Sequence, residues 1–377
     1  MTSSFTLGRI SGIEIGVNWS WLVIFGLLVW SLAAGVFPDQ YPDLGDGTYY
    51  AMAIVTAILF FVSLLLHELG HAFTARREGM EIEGITLWLF GGVAKFKGEF
   101  PSAGAEFRIA IAGPLVTLVL GVAFMALGFL AFGSDPVQGV VGYLGYVNLL
   151  LLAFNLLPAL PLDGGRVLRA ALWGAKRDFA SATRIAANVG RGFGYLFIAA
   201  GLFAFFVTGA FGGAWLAFIG WFLLGAATAE LRYLSVREAL GGLSVRDIMV
   251  RDPVVVDPDT TLGRLMDEVI WNARYTTYPV VEDGRPVGLL PFRCVAQVPR
   301  SEWDERTVRD CMLPLDKVPV VSESQPLTDA AVELSDDGGI GRALVVEGGR
   351  LVGLLSVTDL ARALELRQLR PRAAAGA

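Results

Sequence analysis

The sequence predicts a polytopic α-helical membrane protein of about six transmembrane helices with a small β-hairpin or sheet element, followed by a soluble α/β module built from two repeats. Three observations carry that expectation. Of 377 residues, 54% are hydrophobic and 18% charged, and the mean hydropathy is +0.57, too apolar for an ordinary soluble protein. The charges are unevenly spread: residues 1–235 hold 13 basic and 14 acidic side chains, while the shorter 236–377 hold 17 and 22. The second portion also repeats itself, Ser244-Val-Arg-Asp-Ile-Met249 returning as Thr307-Val-Arg-Asp-Cys-Met312 and Val287-Gly-Leu-Leu290 as Val352-Gly-Leu-Leu355. The division expected is 1–235 for the membrane domain, 243–298 and 306–365 for the repeats, and 366–377 for a disordered tail.

Residues 1–16 mix polar and β-prone side chains suited to the membrane surface, and no cleavable leader is expected, because the first apolar run outlasts the usual signal core. That run, about Val17 to Ala34, is the first span, with Trp19, Trp21 and Trp30 suited to its interfaces. A loop with Asp39, Asp43 and Asp46 and no base precedes a second span, near Tyr49 to Phe73, that ends at Arg76 and Arg77. Residues 81–100 are too interrupted for a span and read as a hairpin or short sheet beside the site. A third span follows from about Phe107 to Phe132 and contains Ala112-Gly113-Pro114, read as a packing and kinking point. The fourth, about Val140 to Leu157, runs into Asn155-Leu-Leu-Pro158-Ala-Leu-Pro161-Leu-Asp163-Gly164-Gly165, whose prolines and glycines break the helix at membrane depth. A basic connector leads to a short fifth span (193–207) and a sixth (215–229). No Lys or Arg occurs from Ile109 to Gly165, so the positive-inside rule puts both termini, the 76–97 loop, the 166–191 connector and the repeat module in the cytoplasm.

The chemistry is concentrated in the second span. His67 and His71 are the only histidines in the chain, and they flank Glu68 in a His-Glu-x-x-His pattern. Positions i and i+4 share a helix face, so both rings reach one ion while Glu68 stands beside it to handle a proton. Zinc is the first candidate, because imidazole ligands with one open position suit hydrolysis. Asp163, an ionisable group near hydrocarbon, is a functional candidate on that ground alone. The net charge of −6 gives no basic surface for nucleic acid, and Cys294 and Cys311 make no disulfide framework.

Taken together, His67-Glu-x-x-His71, Gly91-Gly92, Ala112-Gly113-Pro114 and Asn155-x-x-Pro158-x-x-Pro161-x-Asp163-Gly164 resemble the site-2 protease family of intramembrane zinc metalloproteases. The duplication after residue 243 resembles a pair of cystathionine-β-synthase (CBS) domains. The resemblance implies that Asp163 is the third zinc ligand, and that the substrate is a single-span membrane protein, such as an anti-sigma factor or another membrane-tethered regulator. Within that reading Glu68 is the general base, and Asn155, an amide donor in an apolar broken segment, is the choice for steadying the oxyanion, with Asn148 the weaker candidate. The resemblance further implies ATP, AMP or another adenosyl nucleotide at the CBS pair. The second repeat carries the matching Ser356, Thr358 and Asp359, whereas the first has Pro291 and Cys294 at two of those positions, so one nucleotide site at most is expected. A structural module, dimerising the protein through its CBS domains, is the other reading of that pair. Two further classes stand against the protease: a metal-containing transporter regulated by CBS domains, which leaves Glu68 without a role, and a catalytically silent membrane scaffold, which has no need of it.

Overall fold

The computed structural model describes residues 4–88, 91–130, 133–209, 211–271, 275–336 and 340–369. The chain divides at Arg232/Tyr233 into two compact units. The first begins with strands. β1 (Phe5–Ile10) and β2 (Ile13–Val17) form a hairpin whose two turn residues, Ser11 and Gly12, have φ of 50° and 83°, the left-handed pair that fits a two-residue connection. β2 pairs in parallel with β3 (Glu81–Trp88), and β3 pairs antiparallel with β4 (Gly91–Lys97), giving a sheet ordered β1-β2-β3-β4. The hairpin expected in residues 81–100 is therefore present, but the amino-terminal residues extend it into a four-stranded sheet. Its apolar face, Ile13, Ile15 and Ile85, packs on Leu69 and Ala72 of the helix that carries the histidines.

Six helices among the described residues are long and apolar enough to cross a membrane. α1 (Ser20–Ser31) runs through a π-helical segment, Leu32–Val36, into α2 (Phe37–Gln40) as one span. The others are α3 (Asp46–Arg77), α4 (Ala103–Leu130), α5 (Asp135–Asn155), α7 (Phe179–Thr208) and α8 (Phe211–Leu240), the last counted as a span from Gly212. Between α5 and α7 lies α6 (Asp163–Lys176), an amphipathic helix that is not a span. Residues 131–132, expected at the end of the third span, lie outside the described residues.

The expected fifth span, 193–207, is too short. α7 starts at Phe179, with the Asp178 carboxylate accepting the Ser181 N–H at 3.1 Å, and so takes in Arg184 and Arg191 from the expected connector. A 30-residue helix rises about 45 Å against a hydrocarbon core of roughly 30 Å, so bases on its projecting end do not stop it. The expected fourth span ran two residues beyond the observed end of α5. At Asn155 the helix stops, and the chain crosses 156–162 without regular structure before Asp163 opens α6.

The second unit is a strand-exchanged pair of repeats. The first contributes β6 (Thr277–Glu282) and β7 (Arg285–Pro291), the second β10 (Arg342–Glu347) and β11 (Arg350–Ser356). β5 (Val250–Arg251), which precedes the first hairpin, pairs with β11 of the second. β8 (Leu313–Pro314), which precedes the second, pairs with β7 of the first. β9 (Val320–Val321) completes the sheet β5-β11-β10-β9. The repeated Val-Gly-Leu-Leu explains itself here, since a Cβ on Gly288 would lie 2.3 Å from the Leu313 carbonyl oxygen and one on Gly353 would lie 2.8 Å from Met249 Sδ. Side chains at these positions would push the exchanged strands off. The other repeated element is a pair of capping boxes, Ser244 with Asp247 and Thr307 with Asp310. Hydrogen bonds from the backbone amides of Ser244 and Thr307 hold the two carboxyls below the usual range. The last helix runs Val357–Leu369, into the stretch expected as a disordered tail; the remainder, 370–377, lies outside the described residues.

Candidate metal centre

His67 and His71 stand one turn apart on α3, each about 5% exposed, with their Nε2 atoms 3.1 Å apart. Asp163 Oδ2 lies 3.1 Å from His67 Nε2 and 3.3 Å from His71 Nε2. These three residues are the one group of His, Cys, Asp or Glu among the described residues with donor atoms clustered closely enough to hold a metal ion.

The outer nitrogens fix the ring tautomers. His71 Nδ1 is 2.7 Å from the Ile109 carbonyl oxygen, which can only accept, so Nδ1 carries the proton. His67 Nδ1 is 2.8 Å from Thr117 Oγ1, whose own hydrogen goes to the Gly113 carbonyl at 3.3 Å, so that nitrogen donates as well. Both Nε2 atoms in neutral rings therefore present lone pairs, and they present them to each other and to a carboxylate oxygen. Three electron-rich atoms at this spacing repel unless a cation stands among them. Zinc in tetrahedral coordination, with ligands at about 2.0–2.2 Å, sets its donors roughly 3.3 Å apart, and the donor set fits it in number, chemistry and spacing. A hydrogen-bonded outer nitrogen is the usual support of a metal-binding histidine.

Glycine makes the approach of α4 possible. A Cβ on Gly113 would lie 2.3 Å from His71 Nε2 and 2.7 Å from His67 Nε2. The residue read from the sequence as a packing point thus lies directly against the two Nε2 atoms. Gly92 has the same relation to Glu68, since a Cβ there would lie 2.4 Å from Glu68 Cγ and 3.1 Å from its Oε1. Strand β4 lies against the half-buried glutamate because position 92 has no side chain. On the other side of the site, Gly164 and Gly165 let α6 begin against the returning chain, where a Cβ would lie 2.3 Å from Leu156 O and 2.2 Å from Leu160 N respectively. That contact delivers Asp163 to the histidines from 92 positions further along the chain.

A sequence model of peptidase family M50 matches residues 55–141 and 132–199, which contain all three donors, and the CBS domain model matches 245–298 and 308–366. The Rip3 protein of Mycobacterium tuberculosis is 39% identical over 373 residues, covering 98% of this chain and 95% of its own. The chain belongs to peptidase family M50. A zinc metalloprotease of Methanocaldococcus jannaschii is 34% identical over 376 residues, covering 98% of both chains. The solved site-2 protease of that organism is 30% identical, covering 60% of this chain and 95% of its own, with a TM-score of 0.42. As an M50 peptidase with a His-His-Asp cluster among membrane-length helices, the protein is an intramembrane zinc metalloendopeptidase with a CBS module, and the transporter reading falls.

The other sequence candidates stand as follows. Asn155 closes α5 half-buried, and among the described residues no hydrogen bond joins it to Glu68, Asp163 or either histidine. Asn148 is fully buried; its Nδ2 donates to Leu144 O at 2.8 Å while its Oδ1 has no hydrogen-bond partner. Asp359 accepts from the Ser356 N–H at 3.0 Å and from Ser356 Oγ at 2.5 Å, so those two residues cap the last helix, and Thr358 is exposed. A cleft of about 290 Å³ lies instead between Pro291–Arg293 and Ile340–Arg342. Thr117 was missed by the sequence reading, although its place four residues after Gly113 puts it on the same helix face.

Proposed function

We propose that the protein cleaves transmembrane segments of membrane-tethered regulatory proteins, with His67, His71 and Asp163 as zinc ligands and Glu68 as general acid–base. The convergence of three donors at 3.1–3.3 Å with Glu68 adjacent to His67 carries this reading. Zinc bound there supplies a Lewis acid that polarises a peptide carbonyl and acidifies a water. Glu68 takes the proton of the attacking water and returns it to the departing amine. Asn155, the last residue of α5 before the segment that delivers Asp163, is the donor offered to the developing oxyanion.

A membrane helix hides its amides in its own hydrogen bonds, so the substrate must be extended before it is cut. β4 is the last strand of its sheet and lies against Glu68 at Gly92, which supports capture of the unwound segment by strand addition along 91–97. The class of substrate is a single-span protein such as an anti-sigma factor. Glu68→Gln should leave bound zinc unchanged, by elemental analysis of the purified protein, and lower cleavage of a single-span substrate in detergent by about 10²-fold or more. Gly113→Ala should lose both. Full activity in E68Q would remove Glu68 from the mechanism.

The charge distribution supports a cytoplasmic location for both termini, the site-proximal loops and the CBS module. A cysteine introduced at Asp43 should react with a membrane-impermeant maleimide added outside; reaction only after permeabilisation would invert the topology.

For the CBS module the reading is regulation by one adenosyl nucleotide, ATP or AMP, held at the second repeat through Ser356, Thr358 and Asp359. For Asp359 to meet a ribose, it must exchange its bonds to Ser356. Calorimetric titration of the full chain with ATP and with AMP should give saturable heat that Asp359→Ala abolishes. Heat from neither nucleotide would leave the module a structural role.

A further inference from the structure

We infer that Arg169, through its buried pair with Glu106, is the positioning residue that sets where Asp163 stands. The inference rests on the reading of Asp163 as a metal ligand. Asp163 is the first residue of α6 and follows an irregular segment, so its place in the site is the place of the whole helix. Six residues on, Arg169 is 5% exposed and Glu106 of α4 is wholly buried. Arg169 donates from Nε to Glu106 Oε1 at 2.7 Å, and its Nη2 lies 2.5 Å from the same oxygen. Its guanidinium also lies 5.0 Å from the ring of Phe179 and 5.9 Å from that of Phe100, and Nη1 is 3.9 Å from Glu230.

Helical spacing makes this pair more than a local contact. Glu106, Ile109, Gly113 and Thr117 follow one another at intervals of three, four and four, which is one face of α4. On that face the Ile109 carbonyl and the Thr117 hydroxyl orient the two imidazoles, Gly113 seats them, and Glu106 anchors the helix that brings the carboxylate. Both halves of the ligand set are thus referred to a single helix.

Stability is a poor account of the pair. Two charges lose their hydration, and Glu106 Oε2 has no hydrogen-bond partner, whereas apolar residues of similar volume commonly do as well or better in such places. What apolar contacts do not supply is direction. The planar guanidinium fork fixes the slide and rotation of α6 on α4, and position is what a metal ligand needs.

The test compares full-length Glu106→Leu/Arg169→Met and Arg169→Lys with wild type in detergent. Zinc affinity is read by competition with a chelating dye, kcat and KM on a single-span substrate, and Tm on the metal-free protein. In both variants zinc affinity should fall by about 10-fold or more and kcat with it, KM and the metal-free Tm remaining near wild type. Wild-type zinc affinity and kcat in either variant overturns the inference. So does a metal-free Tm that falls in step with zinc affinity in both, which would assign the pair to stability alone. Asp163→Asn is the control: if it binds zinc like wild type, the ligand reading itself has failed, whatever Arg169 does.

Discussion

Two imidazole nitrogens and one carboxylate oxygen, all with lone pairs turned inward and all about 3.1–3.3 Å apart, are the constraint on which the rest of the membrane unit depends. The outer nitrogens are committed to Ile109 O and Thr117 Oγ1, so neither neutral ring can turn a proton inward to relieve the repulsion. With both rings buried and the Asp163 side chain only 13% exposed, a cation among the three atoms relieves their repulsion. The surrounding glycines follow from that arrangement. Helix α4 must come close enough to support both rings, strand β4 close enough to cover Glu68, and the start of α6 close enough to the returning chain to present Asp163. At Gly113, Gly92 and Gly164 a single methyl group would prevent it.

The sheet and the helices divide the work of building a hydrolytic site at membrane depth. Helices satisfy their own backbone, and α7 and α8 add a requirement for small residues where they meet: a Cβ on Gly201 would lie 2.4 Å from Ala217 N, and one on Gly220 2.6 Å from Ile198 N. The connection from α5 to α6 is irregular over 156–162, where Ala159 and Leu160 are fully buried and Leu160 packs with Ala186 and Ala187 of α7. The sheet, with its apolar face on α3 at Leu69 and Ala72, brings its edge strand β4 against Glu68 at Gly92.

Much of this was legible in the sequence, and the residues show why. His67, Glu68 and His71 are local in a helix, so spacing alone places them together. Asp163 is remote, and only its motif and its anomalous charge marked it. The six spans were visible because hydropathy sums over many residues, but their ends were not, since α7 continues through Arg184 and Arg191 once it leaves hydrocarbon. The parallel pairing of β2 with β3 joins residues 14–17 to 84–87, and nothing in either strand names the other. Gly113 looked like a packing glycine because a sequence does not say what lies opposite. In the repeats, the 63- and 65-residue offsets revealed two copies but not their exchange: β5 and β8 are only two residues long, and each finds its partner in the opposite repeat.

The central claim is that the donor cluster holds zinc through two histidines and one aspartate and leaves a position for chemistry. X-ray absorption at the zinc edge on the purified full-length protein tests it directly. The account predicts four nitrogen or oxygen donors at about 2.0–2.1 Å, with multiple-scattering features of two imidazoles and no sulfur. A spectrum with sulfur donors, or with no imidazole signature, would contradict it.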